Sequence, residues 1–269
     1  MLRYLVSMKI LDENENIFSV TRCGSLLVTN NWVKCGSLLS ELTFEGAKHF
    51  GHTLETGESA FEHAFGMSYF DYLHTRSEYR DLFWKMLRGL SNSSDIIAAY
   101  DFSRFEHIVD VGRGEGKLLI EILKKATHSL GTLFETPMIA EKAEAAIAEN
   151  GLSARCKAVA GNFFDSVPID GDCYILKFVL HDWSDEKCLK ILRNIRTNMK
   201  EKSKLVIIEG ISEDDFTQMY DFSLWVTVDG KERNLSAFKE LLNKVGLEIA
   251  TVLNPPKVKF AIIEAIISF

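Results

Sequence analysis

The hydrophobic and polar positions divide the chain into two parts that differ in period. Up to about residue 100, apolar residues recur at helical spacing. From about residue 105 onward, short apolar runs alternate with helical segments, a pattern typical of a doubly wound α/β sheet. The pattern therefore predicts an α/β protein with a mostly helical region at 1–100 and an α/β domain at 101–269.

Short elements are predicted in the helical region. They are a helix over 1–10, a polar turn over 12–16, a strand over 17–20, a small loop over 21–28, and helices over 37–51, 53–65 and 77–100 with a break near 89–94. The elements at the front resemble the end of a winged-helix unit. Because no capping residue precedes the first helix, we expect this unit to be truncated.

Longer alternating elements are predicted in the α/β domain. The strands are expected at 108–111, 132–134, 157–160, 173–180, 204–208, 247–252 and 259–267, and the helices at 117–126, 139–149, 215–228 and 234–245. The last two strands are expected to form a hairpin at the edge of the sheet. A further helix is expected after Ser184, with Asp185 and Glu186 in its first turn.

One stretch in the α/β domain carries a nucleotide-binding pattern. An apolar run containing Asp110 leads into Gly112, Gly114 and Gly116, and after a helical segment a second apolar run ends in Glu135. Glycine lets the backbone approach a ligand closely, and an acid at the next strand end can accept both hydroxyls of a ribose. The stretch therefore predicts a nucleoside cofactor, although glycines at such turns can also serve packing alone.

The glycine spacing distinguishes between cofactors. It is G-x-G-x-G instead of the G-x-G-x-x-G of dinucleotide-binding turns, and an acid precedes the loop. S-adenosylmethionine fits this spacing better than NAD because it has no pyrophosphate. A nicotinamide-dependent oxidoreductase remains the alternative.

Candidate catalytic residues follow the strands of the predicted sheet. Ligands of open α/β sheets bind outside the carboxyl ends of the strands, where Asn162, His181 and Glu209 are expected to lie. A histidine with an acid at the next strand end could act as a base and its orienting partner. With an unperturbed pKa of about 6.5, His181 would be mostly neutral at pH 7. The alternatives are a capping or core role for His181, a cap for Glu209 and a solvated turn for Glu232.

Aromatic side chains suggest a substrate pocket, although an aromatic stripe at helical spacing also fits an ordinary core. Residues 56–70 are rich in aromatic side chains. The candidate pocket residues from this stretch and from the α/β domain are Phe61, Phe65, Met67, Phe178, Trp183, Met219 and Phe222.

Composition excludes several classes of function. The net charge of −7 and a pI near 5.6 give no electrostatic support for a nucleic-acid partner. No apolar run approaches the roughly 20 residues that cross a bilayer. Five scattered cysteines without a CxxC pair suggest reduced thiols in a cytoplasmic protein. The histidines other than His181 lack ligand spacing, so we expect no metal site.

The motifs together resemble a known enzyme family. VDVGRGEG, GNFF, LKFVLHDWSDEKCLKILRNI, LVIIEG and DGKERN resemble, in this order, the S-adenosylmethionine-dependent small-molecule O-methyltransferases, which act on plant phenolics and bacterial secondary metabolites. TGESAFEHAFGMSYFDYL resembles the helical segment that precedes their catalytic domain. The resemblance implies a class I, Rossmann-like methyltransferase domain at 101–269. It also implies a winged-helix-like region at 1–100 that forms homodimers and roofs the substrate.

Catalytic roles follow from the resemblance. His181 would be the general base that removes the hydroxyl proton, with Glu209 and Glu232 holding its imidazole. The expected reaction is transfer of a methyl group from S-adenosylmethionine to a hydroxyl of a small, aromatic metabolite. The alternatives are a cofactor-binding member that has lost catalysis and a winged-helix regulator.

The resemblance also implies a set of cofactor-binding residues, namely Asp110, Gly112, Gly114, Glu135, Asn162, Phe163 and Lys177. Glu135 would bind the ribose hydroxyls, and Asn162 with Phe163 would bind the adenine. The family usually has aspartate at Glu135 and Asn162, and Arg113 replaces a usual glycine. The front of the family's N-terminal region is absent here, which predicts a weakened dimer.

Overall fold

The structure is a computed structural model that describes residues 1–90, 93–112, 114–168, 170–211, 215–255 and 260–268, without the side chains of 88–90 and 215–217. The chain forms two compact units, Met1–Asn92 and Ser93–Phe269. In the described part of the chain, no helix has both the length and the apolar composition needed to cross a membrane.

The first unit consists of short helices and one β-hairpin. Its elements are α1 (Leu2–Ser7), β1 (Leu11–Asn14), β2 (Ile17–Val20), α2 (Arg22–Thr29), α3 (Asn31–Ala47), α4 (Phe50–Thr56), α5 (Ala60–Phe65), α6 (Tyr69–Thr75) and α7 (Ser77–Leu90). The predicted helical character of this region is therefore confirmed.

The front of this unit differs from the prediction in two places. The predicted turn at 12–16 lies largely in β1, which pairs antiparallel with β2. The reversal is confined to Glu15 and Asn16, both with positive φ, as in two-residue hairpin turns. The predicted loop at 21–28 is instead helix α2, which begins where the Thr21 side chain accepts the N–H of Gly24 at 2.9 Å.

Aromatic packing forms the core of the first unit. Phe61 is fully buried and stacks on Phe65 with ring centroids 4.3 Å apart. Tyr69 and Tyr72 meet the Phe61 ring edge-on at 5.1 and 5.5 Å. These contacts correspond to the ordinary-core interpretation of the aromatic stretch. Met67, in contrast, is 38% exposed.

The second unit is a doubly wound α/β domain. Its elements are α8 (Ser93–Ala99), β3 (His107–Val111), α9 (Lys117–Lys125), β4 (Leu130–Glu135), α10 (Pro137–Glu149), β5 (Cys156–Ala160), β6 (Cys173–Lys177), α11 (Asp185–Asn198), β7 (Lys204–Glu209), α12 (Asp215–Thr227), α13 (Leu235–Asn243), β8 (Leu247–Leu253) and β9 (Ala261–Ile267), with single 3-10 turns at Phe102–Arg104 and Leu180–Asp182.

The sheet of this unit has the order β5-β4-β3-β6-β7-β9-β8 among the described strands. The strands from β5 to β7 are parallel, and β9 runs antiparallel to both β7 and β8. After β3 the chain adds β4 and β5 on one side of β3, and it then crosses over to add β6 and β7 on the other side. Ligands bind at such a point of reversal, outside the carboxyl ends of the strands. The predicted doubly wound α/β sheet and its edge hairpin are confirmed.

The boundary between the units lies before the predicted position near residue 100. Helix α8 was assigned to the helical region but belongs to the second unit. Helix α8 packs on α9 of that unit, where Ile96 is fully buried, and the residues that follow α8 bond to β9. The Tyr100 hydroxyl donates to Glu264 Oε2 of β9 at 2.7 Å, and Arg104 donates to the same carboxylate.

The strand predicted over 173–180 is also shorter than expected. β6 ends at Lys177, and Phe178 adopts a φ of +50° that no regular strand contains. The apolar run continues into the 3-10 turn Leu180–Asp182, where Leu180 and His181 are buried. The apolar run therefore includes the buried strand β6 and the start of the buried turn that carries His181.

Candidate active site

His181 lies in a tight turn at the carboxyl end of β6. The turn begins with Phe178, whose positive φ is uncommon for a residue with a bulky side chain and implies local strain. The N–H of Phe178 donates to the carbonyl of Ile208 in β7 at 2.9 Å. Neighbouring strand β7 therefore fixes the point at which the chain leaves the sheet.

Glu209, the last residue of β7, holds the rest of this turn. It has no exposed surface. Its Oε1 accepts the N–H groups of Val179 at 2.9 Å, Leu180 at 2.9 Å and His181 at 3.4 Å. Its Oε2 lies 3.2 Å from His181 Nδ1. One carboxylate thus binds the backbone of the turn and also faces the imidazole that the turn carries.

Two further carboxylates lie next to the imidazole. Glu232 Oε1 is 3.4 Å from His181 Nδ1, and the backbone N–H of Glu232 donates to Asp221 of α12 at 2.6 Å. Asp182 Oδ1 is 3.4 Å from His181 Nε2. The sequence did not single out Asp182, because adjacent side chains meet only where the backbone turns as it does here.

The distances around His181 reflect charge contacts more than completed hydrogen bonds. The buried atoms His181 Nδ1, Glu209 Oε2 and Glu232 Oε2 have no hydrogen-bond partner within the described residues. Three carboxylates within 3.4 Å of the ring nitrogens stabilise the protonated imidazole, so the cluster can take up a proton.

Charge and burial both change the proton affinity of this cluster. Burial by itself lowers the pKa of His181, but Glu209, Asp182 and Glu232 outweigh it and raise that pKa to about 9. Burial raises the pKa of Glu209 to about 7, against the opposing effect of His181. The expectation of a mostly neutral His181 at pH 7 is therefore wrong for the free protein, because a sequence does not reveal three carboxylates around one ring.

Aromatic rings surround the histidine. The Phe178 ring stacks on the imidazole with centroids 5.8 Å apart and planes 10° apart, and the Tyr220 ring of α12 lies 5.8 Å away. Trp183 packs edge-on against Phe164 at 4.9 Å. Of the predicted substrate-pocket residues, Phe178 therefore lies beside His181, and Trp183 lies beside Phe164 in the turn after β5.

The other candidate pocket residues of this unit lie on α12. Met219 is 66% exposed and Phe222 is 46% exposed. Helix α12 thus presents apolar surface on one side and Tyr220 on the side of His181.

The glycine turn after β3 has the geometry of a ligand-binding loop. Gly112 has a φ of +73° and Gly114 a φ of +71°. A Cβ on Gly112 would lie 2.9 Å from the Phe163 ring, so a larger residue would displace that ring. Glycine therefore allows Phe163 to pack directly on the turn. Arg113 lies outside the described residues.

Glu135, at the end of β4, is tied to this turn. Its Oε1 accepts the N–H of Gly114 at 2.7 Å, and its Oε2 accepts the N–H of Thr136 at 2.8 Å. The Thr136 hydroxyl beside it is buried and has no hydrogen-bond partner within the described residues. An acid and a hydroxyl without a partner, next to a glycine turn, fit the polar ribose of a nucleoside cofactor.

The remaining predicted cofactor residues lie along the same edge of the sheet. Asn162 follows β5, and its Oδ1 accepts the N–H of Phe164 at 3.0 Å. Lys177 is buried at the end of β6, with its Nζ 5.3 Å from the Phe178 ring centroid. Asp110 is fully buried within β3. In the described part of the chain, no set of His, Cys, Asp and Glu side chains could hold a metal ion.

Known proteins share sequence with most of this chain. The O-methyltransferase domain family matches residues 48–248. The phenazine O-methyltransferase PhzM of Lysobacter antibioticus is 35% identical over 277 residues, which cover 98% of this chain and 80% of the relative.

Solved structures of O-methyltransferases also match this chain. The mitomycin 7-O-methyltransferase MmcR matches with a TM-score of 0.91 and 32% identity, over 99% of this chain and 82% of that chain. The O-methyltransferase NcsB1 of neocarzinostatin biosynthesis, in complex with S-adenosyl-L-homocysteine and 1,4-dihydroxy-2-naphthoic acid, matches with a TM-score of 0.83 and 26% identity, over 99% and 83%. A second NcsB1 structure contains S-adenosylmethionine. The family match extends over well more than half of the sequence, and the chain therefore belongs to the O-methyltransferase family.

Proposed function

We propose that this S-adenosylmethionine-dependent O-methyltransferase methylates a hydroxyl group of a small aromatic molecule and that His181 is its general base. The observation that carries the proposal is the position of His181 at the carboxyl edge of the sheet, with Glu209, Glu232 and Asp182 within 3.4 Å of its ring nitrogens. The aromatic rings of Phe178 and Tyr220 beside it favour a flat substrate.

The orientation of the imidazole indicates which of its two nitrogens would accept the proton of the substrate. Nδ1 faces the two buried glutamates, Glu209 and Glu232, whereas Nε2 faces the partly exposed Asp182 at 3.4 Å, so Nε2 is the nitrogen that would receive the substrate proton. The two glutamates then stabilise the imidazolium that forms. S-adenosylmethionine, when bound, supplies an electrophilic methyl group on a positively charged sulfur, and this charge disfavours the protonated form of His181. Base catalysis of this type contributes roughly 10²–10⁴-fold.

The cofactor would be held by residues that line the edge of the sheet on the β3–β5 side. Glu135 and the Thr136 hydroxyl would bind the ribose, and Phe163 would pack against the adenine beside Asn162. The complete proposed set is Asp110, Gly112, Gly114, Glu135, Thr136, Asn162, Phe163 and Lys177. The acceptor molecule would contact Phe178 and Trp183, with Met219 and Phe222 contributing the apolar surface of α12.

The first unit would be a winged-helix-like dimerisation module. The β1–β2 hairpin followed by α2 supports this interpretation. Apolar residues exposed on this unit include Tyr4, Ile17, Val28, Phe44 and Leu54, each more than 60% exposed. We propose that some of these side chains contact a second copy of the chain. A reducing, cytoplasmic location is consistent with five unpaired cysteines.

The role of Glu135 in cofactor binding can be measured directly. Glu135→Ala should weaken S-adenosylhomocysteine binding by about 1–3 kcal/mol, or roughly 5- to 150-fold in Kd, because the ribose hydroxyls lose their acceptors. Calorimetry gives the affinity. The matched control is Glu144→Ala, which removes another carboxylate that accepts a backbone N–H, that of Ala158 at 2.7 Å. Equal affinities for the wild type and Glu135→Ala would place the ribose elsewhere.

The role of His181 predicts a specific pH profile. Because its pKa is raised to about 9, the imidazole is protonated at lower pH and becomes a base as the pH rises. With S-adenosylmethionine bound, the kcat/KM for a phenol should therefore increase with pH to a midpoint at or below about 9, since the cationic cofactor disfavours the protonated imidazole. His181→Gln should reduce turnover by roughly 10²–10⁴-fold near pH 8, and by less as the pH approaches the phenol's own pKa of about 10, where the substrate ionises unaided. The substrate for these measurements is the hydroxylated aromatic compound that is methylated fastest in a panel that includes 1,4-dihydroxy-2-naphthoic acid.

Two controls accompany this measurement. The exposed His128 should tolerate replacement by Gln without loss of rate. S-adenosylhomocysteine should bind His181→Gln as it binds the wild type, because His181 acts on the acceptor. Near-normal turnover of His181→Gln at pH 8, where nearly all of the phenol is still protonated, would refute the assignment of the base.

The proposed dimer has its own test. Light scattering over a concentration series should give the mass of two chains. Phe44→Glu, which places a charge on a side chain that is 68% exposed, should shift the protein toward the monomer, whereas Ser40→Glu on the exposed surface of α3 should not. A wild-type monomer at every concentration would contradict the proposed dimer.

A further inference from the structure

Arg233 contacts the turn that carries His181 from the side opposite to Glu209. Its side chain is 1% exposed. Its Nη1 donates to the Leu180 carbonyl at 2.8 Å, and its Nη2 donates to the Trp183 carbonyl at 2.7 Å. These carbonyls lie on either side of His181 and Asp182. The turn is therefore bound through its N–H groups by Glu209 and through its carbonyls by Arg233.

A second set of bonds fixes the guanidinium itself. Asp185 Oδ1, in the first turn of α11, accepts from Arg233 Nε at 2.9 Å and from Nη2 at 2.7 Å. The Cys188 thiol donates to the Leu180 carbonyl at 3.1 Å, so that carbonyl has two donors. The planar guanidinium can bind a carboxylate and two separate carbonyls at once, which an ammonium group cannot do.

The segment that contains Arg233 lies directly on the His181 turn. A Cβ on Gly230 would lie 1.9 Å from the His181 carbonyl oxygen, so only glycine allows this approach. Two residues later, Glu232 faces His181 Nδ1. The position of Glu232 relative to the imidazole therefore depends on how this segment and the His181 turn are joined, and Arg233 makes the hydrogen bonds that join them.

We propose that Arg233 is a positioning residue for methyl transfer, which joins the segment of Glu232 to the turn of His181 so that the imidazole meets both glutamates. This inference rests on the proposed function and concerns the same site. Loss of the guanidinium would leave the carbonyls of Leu180 and Trp183 without their charged donor and allow the turn to move. A displacement of about 1 Å in such a site can cost on the order of 10²-fold in rate.

The test compares two arginine-to-lysine variants. Arg155 is a matched control, because it also donates to backbone carbonyls, those of Ser129 at 2.7 Å and Leu123 at 2.9 Å, but not to the His181 turn. Arg233→Lys should lower kcat for the fastest phenol of the panel by roughly 10- to 100-fold, with S-adenosylhomocysteine affinity unchanged. Arg155→Lys should leave kcat unchanged even if its melting temperature falls equally.

A spectroscopic readout separates positioning from stability and does not depend on turnover. With ¹³C-labelled histidine, the His181 signal is identified by its absence in His181→Gln. We expect its titration midpoint to shift toward lower pH in Arg233→Lys and to stay at the wild-type value in Arg155→Lys. An unshifted midpoint in a folded Arg233→Lys, or an unchanged kcat, overturns the inference. If Arg233 proves not to position the site but His181→Gln still turns over much more slowly than the wild type, the proposed function stands.

A milder variant covers the possibility that Arg233→Lys does not fold. Asp185→Asn weakens the acceptor that orients the guanidinium, and the Asp185 side chain is 49% exposed, so the fold should tolerate it. The His181 midpoint should shift in the same direction, with a loss in kcat of roughly 2- to 10-fold. A wild-type midpoint and kcat in Asp185→Asn, together with an unfolded Arg233→Lys, would also overturn the inference, since Arg233 would then serve the fold alone.

Discussion

The buried carboxylate of Glu209 is the group on which the geometry of the site depends. The chain leaves β6 through a residue with positive φ, and three successive N–H groups then point into the protein, where unpaired donors are costly. Glu209 accepts all three on one oxygen and turns the other toward His181. Hydrogen bonds to a charged acceptor are among the stronger ones in proteins and can offset the strain at Phe178. Backbone conformation and catalytic electrostatics therefore depend on the same side chain.

The three carboxylates around the imidazole determine the pKa of His181. Each carboxylate stabilises the imidazolium, and together they more than compensate for burial of the ring. Burial, with a smaller effect of Glu232 and Asp182, raises the pKa of Glu209 and makes this carboxyl harder to ionise. In the free protein the raised pKa of His181 therefore favours the protonated imidazole at pH 7. A cationic cofactor would favour the neutral form, so cofactor binding and readiness of the base are expected to be coupled.

Much of this site could be predicted from the sequence because parallel strands end at one edge of a sheet. The glycine turn, Glu135, His181 and Glu209 each follow an apolar run, and the fold brings them to that edge. The sequence alone left Glu232 open, since nothing local indicates that it would approach a residue some fifty positions away. Asp182 and Arg233 were missed because their contacts depend on the 3-10 turn and on the direction of a guanidinium. The β1 strand was taken for a turn because its residues are polar, and pairing with β2 overrides that composition.

The most direct test of this account is the titration of His181 in Glu209→Gln. Glutamine keeps an oxygen that can accept the N–H groups of the turn but removes the negative charge that faces Nδ1. We predict that the His181 midpoint, observed by NMR with ¹³C-labelled histidine, falls from about 9 toward the unperturbed value of about 6.5. A midpoint that stays near 9 in a folded Glu209→Gln would contradict the claim that this buried carboxylate controls the base.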